Sequence, residues 1–160
     1  KRSGDGSTTL ADVTPGTAVL VEGPYGRLSA RARSRRKVLM IGAGVGVTPL
    51  RALAEELPYE PGEATLLYRY RDEPIFVNEL QVLRAERGLE VIGLPGRRCS
   101  GSWLPANVGA DLAVLRGLVP DVADRDVYIC GPDDWSGHVQ ATLESAGCSR
   151  RQIHVESFGW

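Results

Sequence analysis

Val38-Leu39-Met40-Ile41-Gly42-Ala43-Gly44-Val45-Gly46-Val47-Thr48-Pro49-Leu50 decides the fold. Four consecutive apolar residues running into glycine read as a strand buried on both faces, which is the signature of a parallel sheet covered by helices. Three glycines in five positions then feed a helix over Pro49–Leu57, where Leu50, Leu53, Ala54 and Leu57 recur at helical spacing. Small residues at such a turn let the backbone bend sharply and approach a pyrophosphate, whose charge is favoured by the free N–H groups at a helix start. Thr48 is expected as the N-cap and Pro49 at the first helical position, where its missing N–H costs nothing. Gly42-x-Gly44 fits a dinucleotide fingerprint, but Val47 occupies the third glycine position, so the pattern alone also fits a plain strand-to-helix turn.

The same alternation continues outward from this stretch. Strands are expected at Ala64–Arg69, Leu89–Leu94, Val127–Cys130 and Ile153–Glu156, and helices at Ile75–Arg84, Leu112–Leu118 and His138–Ala146. Strands alternating with helices imply crossover connections, hence an α/β fold with a mostly parallel, doubly wound sheet. Ligands of such sheets bind beyond the carboxyl ends of the strands, where strand order reverses. That rule selects four loops: 42–48, 69–74, 93–102 and 130–135. Residues 1–36 read differently, being rich in Gly, Ser and Thr, with a short strand pattern at Ala18–Glu22 and a basic run, 31–36, expected as a solvated linker.

Composition narrows the function classes. The 160 residues carry 19 Lys plus Arg against 20 Asp plus Glu, a net charge of −1, which argues against a nucleic-acid-binding surface. A 42% hydrophobic content suits one packed domain. No apolar run approaches the ~18 residues of a membrane span, and the polar opening lacks the core of a signal peptide. The first residue is Lys1 rather than methionine, so a fragment of a longer chain is expected. Cys99, Cys130 and Cys148 are odd in number, widely spaced and without a Cys-x-x-Cys, which favours a reducing, cytoplasmic setting and no metal centre.

Four segments in order carry a resemblance: Glu22-Gly23-Pro24-Tyr25-Gly26, the glycine loop, Cys130-Gly131-Pro132, and the closing His154-Val155-Glu156-Ser157-Phe158-Gly159-Trp160. Together they resemble the ferredoxin–NADP reductase superfamily, and in texture the dehydrogenase portions of bacterial membrane proteins similar to ferric reductases and NADPH oxidases. The resemblance implies a module that passes hydride from NAD(P)H to FAD, and then single electrons to a haem, ferric or iron–sulfur acceptor. Residues 1–28 would be the tail of a flavin-binding β-barrel, 29–36 a basic linker and 37–160 the NAD(P)-binding domain. Gly4 and Ser7 match the family's Gly-x-x-Ser contact to the flavin pyrophosphate. The upstream Arg-x-Tyr-Ser motif is missing, so FAD is expected only in the full-length parent, where a flavin-binding domain and a membrane haem domain would be the partners and the module would lie at the cytoplasmic face.

The resemblance also assigns roles. Cys130 would lie beside the nicotinamide C4, Glu156 near the flavin N5, and Trp160 over the flavin ring until nicotinamide displaces it. Gly42, Gly44, Gly46, Thr48, Pro49, Gly131 and Pro132 would shape the nucleotide site. Arg69, Arg71, Arg97 and Arg98 follow the second and third strands, where arginines that fork onto a 2′-phosphate would select NADPH. Asp72 and Glu73 leave NADH as the alternative, and Tyr70 is a candidate to stack on adenine. Each of these residues also has a plain structural reading. Cys130 could be a small buried hydrophobe, Glu156 a solvated strand end, and the arginines surface charges in a chain with 17 of them. Trp103 and Trp135 read as packing residues. A nucleotide-sensing module of the same fold without redox turnover is the second functional reading. An iron–sulfur subunit is disfavoured, because three scattered cysteines cannot supply four thiolates.

Overall fold

A computed structural model describes residues 5–20, 22, 28–106 and 108–158. Five parallel strands, β1 (Val38–Ala43), β2 (Ala64–Tyr70), β3 (Glu90–Pro95), β4 (Asp126–Gly131) and β5 (Ile153–Ser157), form one sheet in the order β3-β2-β1-β4-β5. The chain winds outward from β1 through β2 to β3, then returns to the other side of β1 for β4 and β5. Strand order therefore reverses between β1 and β4, and the crevice at their carboxyl ends is where this architecture accepts a ligand.

Two cores flank the sheet. Alternate residues of the central strands, Met40, Leu66 and Tyr128 among them, pack under α2 (Val47–Glu56) and α3 (Val77–Arg87). Their neighbours Ile41, Leu67 and Ile129 pack under α4 (Asp111–Leu118) and α5 (Asp133–Ala146). Burial on both faces is why β1, β2 and β4 are nearly unbroken apolar runs, while the edge strands β3 and β5 are half-buried. Helix α2 stops where Leu57 precedes Pro58, since a following proline disfavours helical backbone. The Arg87 guanidinium donates to the Ala54 and Leu57 carbonyls there, a cation at the negative end of a helix. Helices α3 and α5 end on Gly88 and Gly147, both left-handed, at φ 69° and 102°.

Several expectations need correction. Residues 18–20 and 22 are exposed and form no strand, and α1 (Asp5–Ala11) is the element found among the described residues before 28. Helix α2 begins at Val47, not Pro49, because a 3-10 turn over Gly44–Gly46 runs straight into it. Gly46 is thus the N-cap, and Thr48 and Pro49 lie inside the first turn, where a missing N–H is still harmless. Helix α5 starts five residues earlier than expected, directly after Pro132, with Asp133 and Asp134 in its first turn. Helix α3 starts two residues late, because Phe76 adopts a left-handed φ of 58° that helical backbone cannot include.

The basic run is not a free linker. Asp126 at the start of β4 is fully buried, and its carboxylate accepts from the Ser34 and Arg35 backbone N–H groups, the Ser34 hydroxyl and His154 Nε2. Arg33 donates to the Pro58 carbonyl, and Arg36 pairs with Glu63. At the other end of this stretch, the Leu28 N–H donates to Glu156 at 3.3 Å, while Leu28 and Ala30 pack on the α2/α3-side core. Residues 28–36 are thus fastened to both ends of the sheet. Among the described residues no helix is long and apolar enough to cross a membrane.

Candidate functional site

A cleft of about 1200 Å³ opens at the carboxyl ends of β1, β2 and β4, on the reversal point of the sheet. Its floor and walls come from the glycine loop, the turn after β2, the loop after β3 and the start of α5. Its lining is mostly apolar and includes Phe76 and Phe158, which pack against the α2/α3-side core, and Trp135 of the opposite core.

The three loop glycines have three different reasons to be glycine. At Gly42 a Cβ would sit 2.9 Å from the Leu50 side chain, so this position lets α2 lie close on β1. At Gly46 a Cβ would stand 2.6 Å from the Cys130 carbonyl carbon and closer still to its oxygen, so the loop is pressed directly against the end of β4. Gly46 has an ordinary φ of −61°; it is close approach and not backbone freedom that requires glycine. Gly44 is the opposite case. Its φ is +54°, nothing lies within 4 Å of where a Cβ would be, and it lines the cleft. Open space there, beside a helix start that no side chain caps, is a cradle for an anion that must approach the backbone closely. Thr48 is exposed and lines the same wall, whereas Pro49 is half-buried.

On the β4 side, Gly131 is covered by the Trp135 ring, which a Cβ would meet at 2.6 Å. The Trp135 indole N–H donates to the Trp103 carbonyl at 2.8 Å, so the ring at the cleft floor is fixed. Pro132 is the N-cap of α5 and lines the cleft. Cys130, 4% exposed, lies one layer behind this wall, in register between Gly42 and Glu156. Burial, reinforced by the Glu156 charge, pushes its thiol up to about 11, so it is neutral at physiological pH and no nucleophile. The Phe158 N–H donates to the Gly131 carbonyl, bringing the closing segment over the end of β4. Glu156 holds the Leu28 N–H and is half-buried. Gly4, Trp160 and residues 23–26 lie outside the described residues, as does the Ser7 side chain.

The four arginines divide. Arg71 and Arg98 line the cleft and are largely exposed, each with a carboxylate no nearer than 3.7 Å, Asp72 and Asp134 respectively. Such long, solvated pairs are weak and leave both guanidinium groups available to an anion. Arg97 is exposed beside them without lining the cleft. Arg69 departs from the expectation of a free cofactor ligand. It also borders the cleft, but it is buried, and its guanidinium is committed to the carbonyls of Tyr70, Leu94, Gly96 and Arg97. Tyr70 lies across Gly93 of β3, where a Cβ would meet its hydroxyl at 3.2 Å, and its ring is 5.2 Å from that of Tyr68.

Sequence reasoning passed over Tyr68, Phe76 and Phe158 as site residues, and took Trp135 as a packing residue close to the nicotinamide loop. Tyr68 accepts a hydrogen bond from the Ile75 N–H, pinning the turn that delivers Phe76, and the Arg51 guanidinium lies 5.3 Å from the Phe76 ring centre. Phe158 could have been found from its place in the closing motif; nothing local marks Phe76 as left-handed. Among the described residues no group of three or more His, Cys, Asp or Glu is placed to hold a metal.

Residues 40–140 match the family described as oxidoreductase NAD-binding domain. The glycine betaine monooxygenase reductase subunit of Chromohalobacter salexigens is 28% identical over 151 residues, covering 90% of this chain and 41% of that protein. The ferredoxin reductase component of 3-ketosteroid-9-alpha-monooxygenase from Mycobacterium tuberculosis is 32% identical over 124 residues, covering 75% of this chain and 33% of that protein. Among solved structures, the flavohem-like FAD/NAD-binding domain of nitric oxide dioxygenase from Vibrio cholerae matches with a TM-score of 0.57 and 26% identity, over 79% of this chain and 53% of that one. The chain spans less than half the length of either reductase.

Proposed function

Because this chain belongs to the oxidoreductase NAD-binding domain family, we propose that it is the nicotinamide-nucleotide module of an NAD(P)H-dependent flavin oxidoreductase, working in the cytoplasm, where NAD(P)H is supplied. The observation that carries the reading is the cleft at the strand-order reversal, with Gly44 open toward it, the uncapped start of α2 beside it and two loosely paired arginines on its rim. When bound, a reduced nicotinamide supplies a hydride to a flavin held by another part of the parent protein.

The residues of this chain bind and align. The Gly44–Thr48 stretch receives the pyrophosphate against the positive end of α2. Arg71 and Arg98 take the 2′-phosphate of the adenosine ribose, with Arg97 a solvent-side neighbour, which favours NADPH over NADH. Gly46 holds the glycine loop against β4, so that the pyrophosphate site and Cys130 keep a fixed separation, and Cys130 is the neutral, compact residue that backs the wall at the nicotinamide end of the ligand. Glu156, tied to the Leu28 N–H, keeps the segment leading to the flavin part against the same strand end, and Trp160 completes the closing segment. Gly4 and Ser7, in the flavin-barrel tail, contact flavin in the parent. The named relatives are reductase components of oxygenases. Their names favour a ferredoxin or the oxygenase itself as the electron acceptor over a haem domain in a membrane.

Calorimetric titration of the 160-residue chain tests the reading. Binding of NADP⁺ that is abolished by Gly44→Val in a folded variant is expected. A chain that binds neither NADP⁺ nor NAD⁺ refutes it.

A further inference from the structure

Arg69 is a buried cation without a counter-ion. It is 6% exposed, no carboxylate among the described residues pairs with it, and its Nε is buried without a partner. A guanidinium in such a place is costly to desolvate, and an apolar side chain of similar size would fill the volume at lower cost. Packing alone does not account for it.

What the guanidinium does is gather backbone. Nη1 lies 2.8 Å from the Tyr70 carbonyl, 3.1 Å from that of Leu94 and 2.8 Å from that of Gly96, while Nη2 lies 2.8 Å from the Arg97 carbonyl. These carbonyls belong to the last residue of β2 and to the chain leaving β3. The Gly96 N–H donates to Tyr70, closing the same junction, and Gly96 turns the chain at φ +127°. One side chain thus fixes the two loops that carry Arg71 on one side and Arg97 and Arg98 on the other. With the carbonyls of Gly96 and Arg97 turned toward Arg69, the loop places Arg98 on the lining of the same cleft as Arg71.

We propose that Arg69 is a positioning residue that sets selectivity for the 2′-phosphate by holding Arg71 and Arg98 convergent on it. This inference rests on the nucleotide-binding reading above. Two exposed arginines on independent loops would contribute only a diffuse attraction, because each long side chain must be ordered separately. Arginines on loops locked to one buried centre can instead meet a phosphate as a pair. Arg69 touches no ligand atom in this scheme, and its effect is confined to the discrimination between two nucleotides that differ at one substituent.

Affinities of the full 160-residue chain for NADP⁺ and NAD⁺ measure this directly, in wild type, Arg69→Met, Arg69→Lys, Arg98→Ala and the Arg69→Met/Arg98→Ala pair. The wild type is expected to prefer NADP⁺. Arg69→Met should lower that preference about tenfold, the size of one charge-assisted contact, while NAD⁺ affinity changes by less than about twofold. Arg69→Lys retains the charge but has three donors and no planar fork, so it should fall between. It also serves if the methionine variant fails to fold. In the pair, Arg69→Met should add little to the loss already caused by Arg98→Ala, because both remove the same contact. An unchanged preference in Arg69→Lys, equal losses for both nucleotides, or strict additivity overturns the inference. A wild type that binds both nucleotides equally overturns it too and leaves the nucleotide reading intact, whereas one that binds neither removes that reading and this inference with it.

Discussion

Replacing Gly46 by alanine isolates the contact that joins the two halves of the site. The backbone there, φ −61° and ψ −14°, is one alanine adopts freely, so conformational preference favours the substitution by about 0.4–1 kcal/mol through the unfolded chain. Against that stands a collision with main chain. The added Cβ would lie 2.6 Å from the Cys130 carbonyl carbon and 3.2 Å from the Gly131 nitrogen, neither of which can rotate away. Relief requires the glycine loop and the end of β4 to separate by most of an ångström, through two fully buried strands. Overpacking of this kind costs about 1–3 kcal/mol or more. A net loss near 2 kcal/mol corresponds to a melting temperature lower by about 4–8 °C for a domain of this size. The same separation moves Gly44 relative to Cys130, so nucleotide affinity should fall together with stability. Gly44→Ala provides the contrast. Its Cβ meets nothing within 4 Å, so the cost is the left-handed backbone alone, about 1 kcal/mol, while the methyl projects from a residue that lines the cleft. Affinity should drop more than stability. Thermal melts and calorimetry on both variants decide the matter, and a Gly46→Ala protein that melts within a degree of wild type and titrates normally refutes the reasoning.

Asp126→Ala should cost about 1–3 kcal/mol, because it removes the buried acceptor that holds the Ser34 and Arg35 N–H groups. Trypsin should then cleave faster after Arg33, Arg35 and Arg36, and an unaltered urea midpoint and cleavage rate would count against the clasp. Burial first, with nearby negative charge, pushes Cys130 up to about 11 and Tyr128 up to about 12, and burial alone pushes Cys148 up to about 11. Raised acids of this kind release their protons more readily from the unfolded chain. Their contribution is therefore whole below about pH 9 and is lost as pH climbs through 9 to 12. Urea denaturation across that range should show the decline, and flat stability to pH 11 contradicts the burial argument. Arg71→Ala and Arg98→Ala should each weaken NADP⁺ binding by about 1–2 kcal/mol at low salt and by less at high salt, with NAD⁺ little affected.

The five strands were legible because each central one is a near-continuous apolar run, and helix positions followed from the spacing of residues such as Leu50, Leu53 and Ala54. The lining of the candidate cleft was legible where it is local, as in Gly44 and Thr48 of the glycine loop and Pro132 after β4. It was not legible where the partner comes from elsewhere in the chain. That Gly46 is glycine because of the Cys130 carbonyl, and not because of its own backbone angles, depends on β4 pairing with β1. Arg69 and Arg71 look alike two residues apart, yet Arg69 lies within β2 and is buried at the β2–β3 junction, whereas β2 ends at Tyr70 and leaves Arg71 on the rim. The basic run reads as solvated charge because its holding partner, Asp126, looks like an ordinary polar residue flanking a strand. Phe76 takes up its left-handed conformation under Tyr68 and Arg51, neither of them a neighbour in sequence.

The fastening of Leu28 to Glu156 has a consequence for kinetics. Whatever is attached ahead of Leu28 is moored at the carboxyl end of β5, on the same end of the sheet as the cleft, rather than at the far edge where Asp126 grips Ser34 and Arg35. A mooring at that point turns an encounter between two bodies into a short swing on a leash. In the proposed parent, the local concentration at the cleft mouth of a redox group tethered ahead of Leu28 would then be set by the length of that tether and would be independent of how dilute the protein is. Glu156→Ala, which removes the acceptor that glutamine would keep, would leave Leu28 held by its packing on the α2/α3-side core alone, and turnover in the proposed parent should then begin to depend on tether length rather than on the site.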